Sequence, residues 1–136
     1  MVSPNTAQPA SQGTTPFDMI GGEAQVRRFV DRFYDLMDSD PDYSTLRALH
    51  AEDLEPMRAS LADFLIAWLG GPRRWFEERP GACIMSAHGK LTISRAAAEQ
   101  WTHAMARALA DSDVDPVLAS RMGEAFSGMA RAMINC

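Results

Sequence analysis

Three histidines, two cysteines and a few polar-ended aromatic side chains are the groups in this chain best equipped for chemistry. A neutral imidazole can bind a metal or carry a proton near neutral pH, which makes His50, His88 and His103 candidates for both. Their spacing matches no zinc signature and no cysteine pair joins them, so a zinc site built from the three is set aside. Cys83 and Cys136 fit neither a metal-ligand spacing nor a redox pair and read as free thiols. Taken singly, His88 is far more often a surface or hydrogen-bonded core residue than a ligand. Tyr34 and Trp101 each join a large apolar body to one hydrogen-bond donor, a combination that suits plain packing or the wall of a pocket.

The elements that must position these groups read as helices. Val26, Phe29, Val30, Phe33, Tyr34 and Met37 fall on one stripe at helical spacing, predicting a helix over 23–37 that ends at Asp40-Pro41. A short helical turn is expected over 43–49. The next long helix opens near Asp53 with Pro56 in its first turn. It carries the stripe Met57, Leu61, Phe64, Leu65, Trp68 and stops at Gly70-Gly71-Pro72. Residues 73–89 read as loop with short helical turns. Ser94 caps a helix running to about Ala110, with Ala98, Trp101, Met105 and Leu109 inward. Asp115-Pro116 opens the last one, with Leu118, Met122, Ala125, Phe126, Met129 and Met133 inward. The expectation is an all-α domain of four substantial helices plus short ones, over 16–136. Residues 1–15, rich in Ser, Thr, Pro, Gln and Asn, are expected to form a flexible, disordered tail. Aromatic rings crowd the inward stripes, either as ordinary core or as walls for a flat apolar cofactor.

Composition narrows the function classes. The chain has 136 residues, enough for one domain, and 46% of them are hydrophobic, as in a folded globule. A net charge of −5 without a basic run argues against nucleic acid and against an anionic membrane surface. No apolar stretch approaches the ~20 residues of a membrane-crossing helix. The opening residues lack the basic start and apolar block of a secretory signal, so cytoplasmic residence is expected.

From Phe17 onward the chain resembles a group II truncated haemoglobin. The matching pieces are Phe17-Asp18-Met19-Ile20-Gly21-Gly22, Phe33-Tyr34, Phe64-Leu65 leading into Trp68-Leu69-Gly70-Gly71-Pro72, then His88, Ile93 and Trp101. Their order and spacing together carry the resemblance. It implies a two-over-two helical sandwich around one non-covalent haem b per chain; no Cys-x-x-Cys-His segment for covalent attachment is present. It implies His88 as proximal iron ligand, with its other nitrogen donating to a backbone carbonyl about a turn earlier, that of Ile84. Tyr34 and Trp101 match distal donors, and His50 stands where relatives carry Tyr or Phe, reached through three extra residues within 41–49. Such donors would form charge-assisted hydrogen bonds to a diatomic ligand bearing partial negative charge. Met57 and Leu61 would overlie the iron. Phe64, Trp68, Ile84, Ile93, Met105 and Phe126 are expected to pack the haem, and His103 to be exposed.

The chain departs from the family pattern around the propionates. Met85 and Ala87 stand where relatives carry arginines, and Trp75 where they carry tyrosine. Trp75 can still donate one hydrogen bond, and Arg58, Arg74 and Lys90 are the cationic candidates. The resemblance implies dioxygen, nitric oxide and carbon monoxide as ligands of a five-coordinate iron, held tightly for oxygen and nitric oxide chemistry more than for oxygen transport. An unidentified reductase and a monomer or dimer go with it. Peroxide chemistry with His50 as acid–base group is the enzymatic alternative. A non-haem helical interaction domain is the third.

Overall fold

A computed structural model of the chain describes residues 15–80 and 91–134. The described residues form α1 (Pro16–Ile20), α2 (Glu23–Ser39), a 3-10 turn (Pro41–Tyr43), α3 (Ser44–Arg47), α4 (Glu55–Trp68), α5 (Arg74–Glu78), α6 (Arg95–Asp111) and α7 (Pro116–Ala132), with no strand among them. Helices α2 and α4 form one pair and α6 and α7 the other; α2 packs across α6 to join them, and α5 lies on α4. This is a two-over-two sandwich. Its core is built on α2, where Val26, Phe29, Val30, Phe33, Tyr34, Leu36 and Met37 are all buried.

Local signals set most of the boundaries. The Ser94 hydroxyl accepts from the Ala97 N–H at 3.1 Å, capping α6. The Asp115 carboxylate accepts from Val117 and Leu118, both at 3.1 Å, capping α7. Asp53 lies before α4, its carboxylate accepting from the Glu55 N–H in a turn. The stripe expected for α4 is shifted. Phe64 and Leu65 are buried, along with Ala62, Ile66 and Ala67, but Met57 and Trp68 are both 38% exposed. With α2 on one side and α5 on another, burial is set by the neighbours and not by the widest apolar arc.

Helix α1 was not expected from the sequence. Thr15 is its cap: its hydroxyl accepts from Asp18 while the Asp18 carboxylate accepts from the Thr15 N–H, a reciprocal capping box. Thr15 thus belongs to the folded unit, not to the tail; residues 1–14 lie outside the described residues. The Phe17 N–H donates to the Leu69 carbonyl at 2.9 Å, docking α1 on the end of α4. The approach requires glycine there. A Cβ on Gly71 would come 2.8 Å from the Phe17 ring, and Gly70 has φ +105° with Thr15 2.9 Å from where its Cβ would be.

Candidate functional site

Between the two helix pairs lies a cavity of about 420 Å³. Its walls come from every major element: Tyr34 of α2, Leu46 of α3, the following Leu49 and His50, Met57, Ser60, Leu61, Phe64 and Leu65 of α4, Trp75 of α5, Leu91 and Ile93, Ala97, Ala98 and Trp101 of α6, and Met129, Ala130 and Met133 near the end of α7. The lining is mostly apolar, with Tyr34, His50 and Trp101 from α2, the segment after α3 and α6, and Ser60 and Trp75 from α4 and α5, as its polar-ended groups.

Tyr34 is buried and sits edge-on to Phe33, ring centroids 4.8 Å apart. Its hydroxyl has no hydrogen-bond partner among the described residues. Burial pushes its pKa well above the ordinary phenol value, only partly opposed by Arg58, whose guanidinium lies 5.7 Å from the ring centroid. The group is therefore a neutral phenol, able to donate. Trp101 is braced edge-on by Phe33 and Phe126, at 6.4 and 5.5 Å. Its indole N–H likewise makes no hydrogen bond among the described residues.

His50 stands beside Tyr34, ring centroids 6.1 Å apart and nearly perpendicular. Its Nδ1 is 2.9 Å from the Leu46 carbonyl oxygen, which can only accept, so this nitrogen carries a proton. The segment around it is held by polar ties. The Arg47 guanidinium donates to the carbonyls of Ala51 and Glu52, both at 3.0 Å, and pairs with Asp38 at 2.9 Å. The Leu46 N–H donates to the Gln100 side chain at 2.9 Å. Further out, the Tyr43 hydroxyl meets His103 Nδ1 at 2.8 Å and Arg107 at 3.3 Å, while Arg107 pairs with Asp40 at 2.8 Å. His103 is exposed, at the edge of this network.

The remaining expected site residues divide. Tyr34, His50, Met57, Leu61, Phe64, Trp75, Ile93 and Trp101 are brought together on one cavity. Trp68, Met105 and Phe126 are not in its lining. Trp68 lies outward on a surface groove, while Met105 and Phe126 are fully buried in the core, with Phe126 backing Trp101. The Trp75 N–H donates to the Ser60 hydroxyl at 3.2 Å. Arg58 and Arg74 are turned to other partners: Arg58 pairs with Asp31 and Asp35 at 3.2 and 2.8 Å, Arg74 with Glu23 at 2.9 Å. His88, Ile84 and Lys90, like Cys83, Met85, Ala87 and Cys136, lie outside the described residues. Sequence reading missed Ser60, Leu46, Leu49 and the small pair Ala97-Ala98. The pair's signal was the lack of bulk at inward positions of α6 next to Trp101.

The model of the bacterial-like globin family matches residues 15–135. Among curated proteins, the group 2 truncated hemoglobin YjbI of Bacillus subtilis is 29% identical over 94 residues, 69% of this chain and 68% of that protein. The solved truncated hemoglobin of the Antarctic marine bacterium Pseudoalteromonas haloplanktis superposes with TM-score 0.86 at 30% identity, covering 90% of this chain and 99% of that one. The group II 2-on-2 hemoglobin of Agrobacterium tumefaciens gives 0.88 at 30%, with 93% and 98% covered. The hemoglobin of Chloroflexus aurantiacus gives 0.82 at 34%, with 90% and 99% covered.

Proposed function

Because the chain belongs to the bacterial-like globin family, we propose that it is a haem protein that binds a diatomic ligand at a five-coordinate iron and retains it by hydrogen bonding. Haem, when bound, supplies the iron that takes up dioxygen, nitric oxide or carbon monoxide. The residues present fit it. The cavity is broad, apolar and walled by aromatic rings, and two of those rings end in donors with no partner among the described residues.

That both the Tyr34 hydroxyl and the Trp101 N–H, on residues lining one cavity, make no hydrogen bond among the described residues is the observation that carries the reading. Two donors left free on a mostly apolar lining are placed to meet an acceptor that arrives in the cavity. Met57, Leu61 and Phe64 keep the surroundings apolar, which strengthens each hydrogen bond made inside. His88 is the residue that would hold the iron in this reading. A cytoplasmic setting and an unidentified reductase belong to the same proposal.

Purified protein should be red, with a Soret band corresponding to one haem per chain. His88→Ala should lose the ferrous axial signature, while His103→Ala, altered at an exposed position, keeps full haem content. An unchanged ferrous spectrum in the His88 variant would overturn the assignment.

One observation favours peroxide as an additional substrate. His50 holds its proton on Nδ1 against the Leu46 carbonyl, so in the neutral ring the other nitrogen is the basic one, beside Tyr34 at the cavity wall. Peroxide-dependent oxidation of a phenol should then fall by at least tenfold in His50→Phe at equal haem content.

A further inference from the structure

A run of aromatic contacts leads from the cavity to the surface. Trp101 on the cavity wall meets Phe126 with centroids 5.5 Å apart at 75°. Phe126 is fully buried and stacks on Trp68, again at 5.5 Å, with the rings 29° from parallel. Trp68 is 38% exposed and borders a surface groove with Met19, Val117 and Arg121. On the cavity side the run continues from Trp101 through Phe33, at 6.4 Å, to Tyr34, at 4.8 Å.

Indole and phenol are the side chains that most readily give up one electron near neutral pH. Phenyl rings are not oxidised under such conditions but bridge the groups that are. Where the resulting hole comes to rest depends on where a proton can leave. Trp101 makes no hydrogen bond among the described residues through which to shed its N–H proton, and a proton passed from Tyr34 to the neighbouring His50 stays in the cavity, from which it can return. Trp68, partly in water, can lose its proton to solvent.

We propose that Trp68 is the exit for oxidising equivalents generated in the cavity, reached from Trp101 through Phe126. The proposal rests on the haem reading above and takes peroxide as the oxidant. Hydrogen peroxide becomes two waters by taking up two electrons and two protons. One electron comes from the cofactor's iron and the other from the protein. Trp101 yields the protein's electron and Trp68 replaces it through Phe126. Trp68 then releases its indole proton to solvent and is left as a neutral radical at the surface. The route diverts oxidation from the side chains that hold the cofactor.

The test is to treat haem-loaded protein with hydrogen peroxide in the presence of a nitroso spin trap and to locate the adduct by peptide mass spectrometry. Wild type should carry it on Trp68. Phe126→Leu, which keeps apolar bulk but removes the bridging ring, should carry several-fold less there at equal haem content. Trp68→Phe, a change at a partly exposed position, should move the adduct back to Trp101 or Tyr34. Haem-loaded protein that consumes peroxide without labelling Trp68 overturns the relay alone. Equal labelling of Trp68 in haem-free protein does the same, because it would mean direct attack from solvent. A chain that takes up no haem, judged by the Soret band beforehand, overturns the relay and the reading beneath it together.

Discussion

Two buried tyrosines in this fold should respond in opposite ways to the same substitution. Tyr34 and Tyr43 are each 2% exposed. The Tyr43 hydroxyl is bound to His103 at 2.8 Å and to Arg107 at 3.3 Å, whereas that of Tyr34 has no partner among the described residues. Tyr43→Phe removes hydrogen bonds whose partners are partly solvated and can turn to water, so it should cost about 1 kcal/mol of stability. Tyr34→Phe removes no protein hydrogen bond, and stability should stay within about 0.5 kcal/mol of wild type. The functional effects reverse. A donor to a partly charged ligand contributes about 1.5–3 kcal/mol, so losing the Tyr34 hydroxyl should speed dioxygen dissociation roughly ten- to 150-fold. Tyr43→Phe should leave that rate within about twofold of wild type, a difference worth less than about 0.5 kcal/mol. Urea unfolding gives the stabilities, and flash photolysis or ligand replacement on the ferrous protein gives the rates. The reasoning is refuted if Tyr34→Phe costs as much stability as Tyr43→Phe, or if its dissociation rate is unchanged.

Gly71→Ala would set a methyl group 2.8 Å from the Phe17 ring and 3.0 Å from Ile66, so it should destabilise by about 1–3 kcal/mol, read as a lowered urea midpoint. An unchanged midpoint would mean that α1 does not lie against the end of α4. The Asp42 backbone N–H, and after it Arg107, hold the Asp40 carboxyl below its ordinary pKa, as Arg74 and Arg27 do for Glu23. A lowered folded-state pKa contributes stability that is present above the unfolded value and is lost as pH falls through the folded one, here below about pH 4. Asp40→Asn should make the acid limb of stability against pH shallower without removing it, since Glu23 still contributes; an identical limb would take Asp40 out of the linkage.

Much of the fold was legible because its signals are local. Ser94, Asp115 and Asp40-Pro41 act on amides within a few residues of themselves, so helix ends could be read without knowing the neighbours. Helix α1 escaped because five residues carry no periodic stripe, although Thr15, Pro16 and Asp18 spelled its cap. The inward faces of α2 and α6 were readable because each is covered broadly. Along α4 the period gave a stripe, but not which parts of it α2, α5 or solvent would meet, and Met57 and Trp68 were placed too deep. Partners distant in sequence were least visible. That Arg58 would turn to Asp31 and Asp35, Arg74 to Glu23, and Trp75 to Ser60 depends on how helices cross, which periodicity does not encode. The convergence of Tyr34, His50 and Trp101 was foreseen from the family resemblance; their side chains alone left packing equally open.

The size of the cavity has a consequence for how much of this protein a cell can keep. A mostly apolar hollow of about 420 Å³ leaves its lining side chains without the contacts a filled core would give them. An apolar occupant that fits the hollow restores those contacts and so binds the folded chain in preference to the unfolded one. Whatever fills the space therefore joins the folding equilibrium, and stability rises with the logarithm of the occupant's free concentration. Under scarcity, the unliganded population is the one that proteases and chaperones meet first. Steady-state abundance should then track cofactor supply, giving a control over dosage that needs no regulator other than the hollow between the helix pairs.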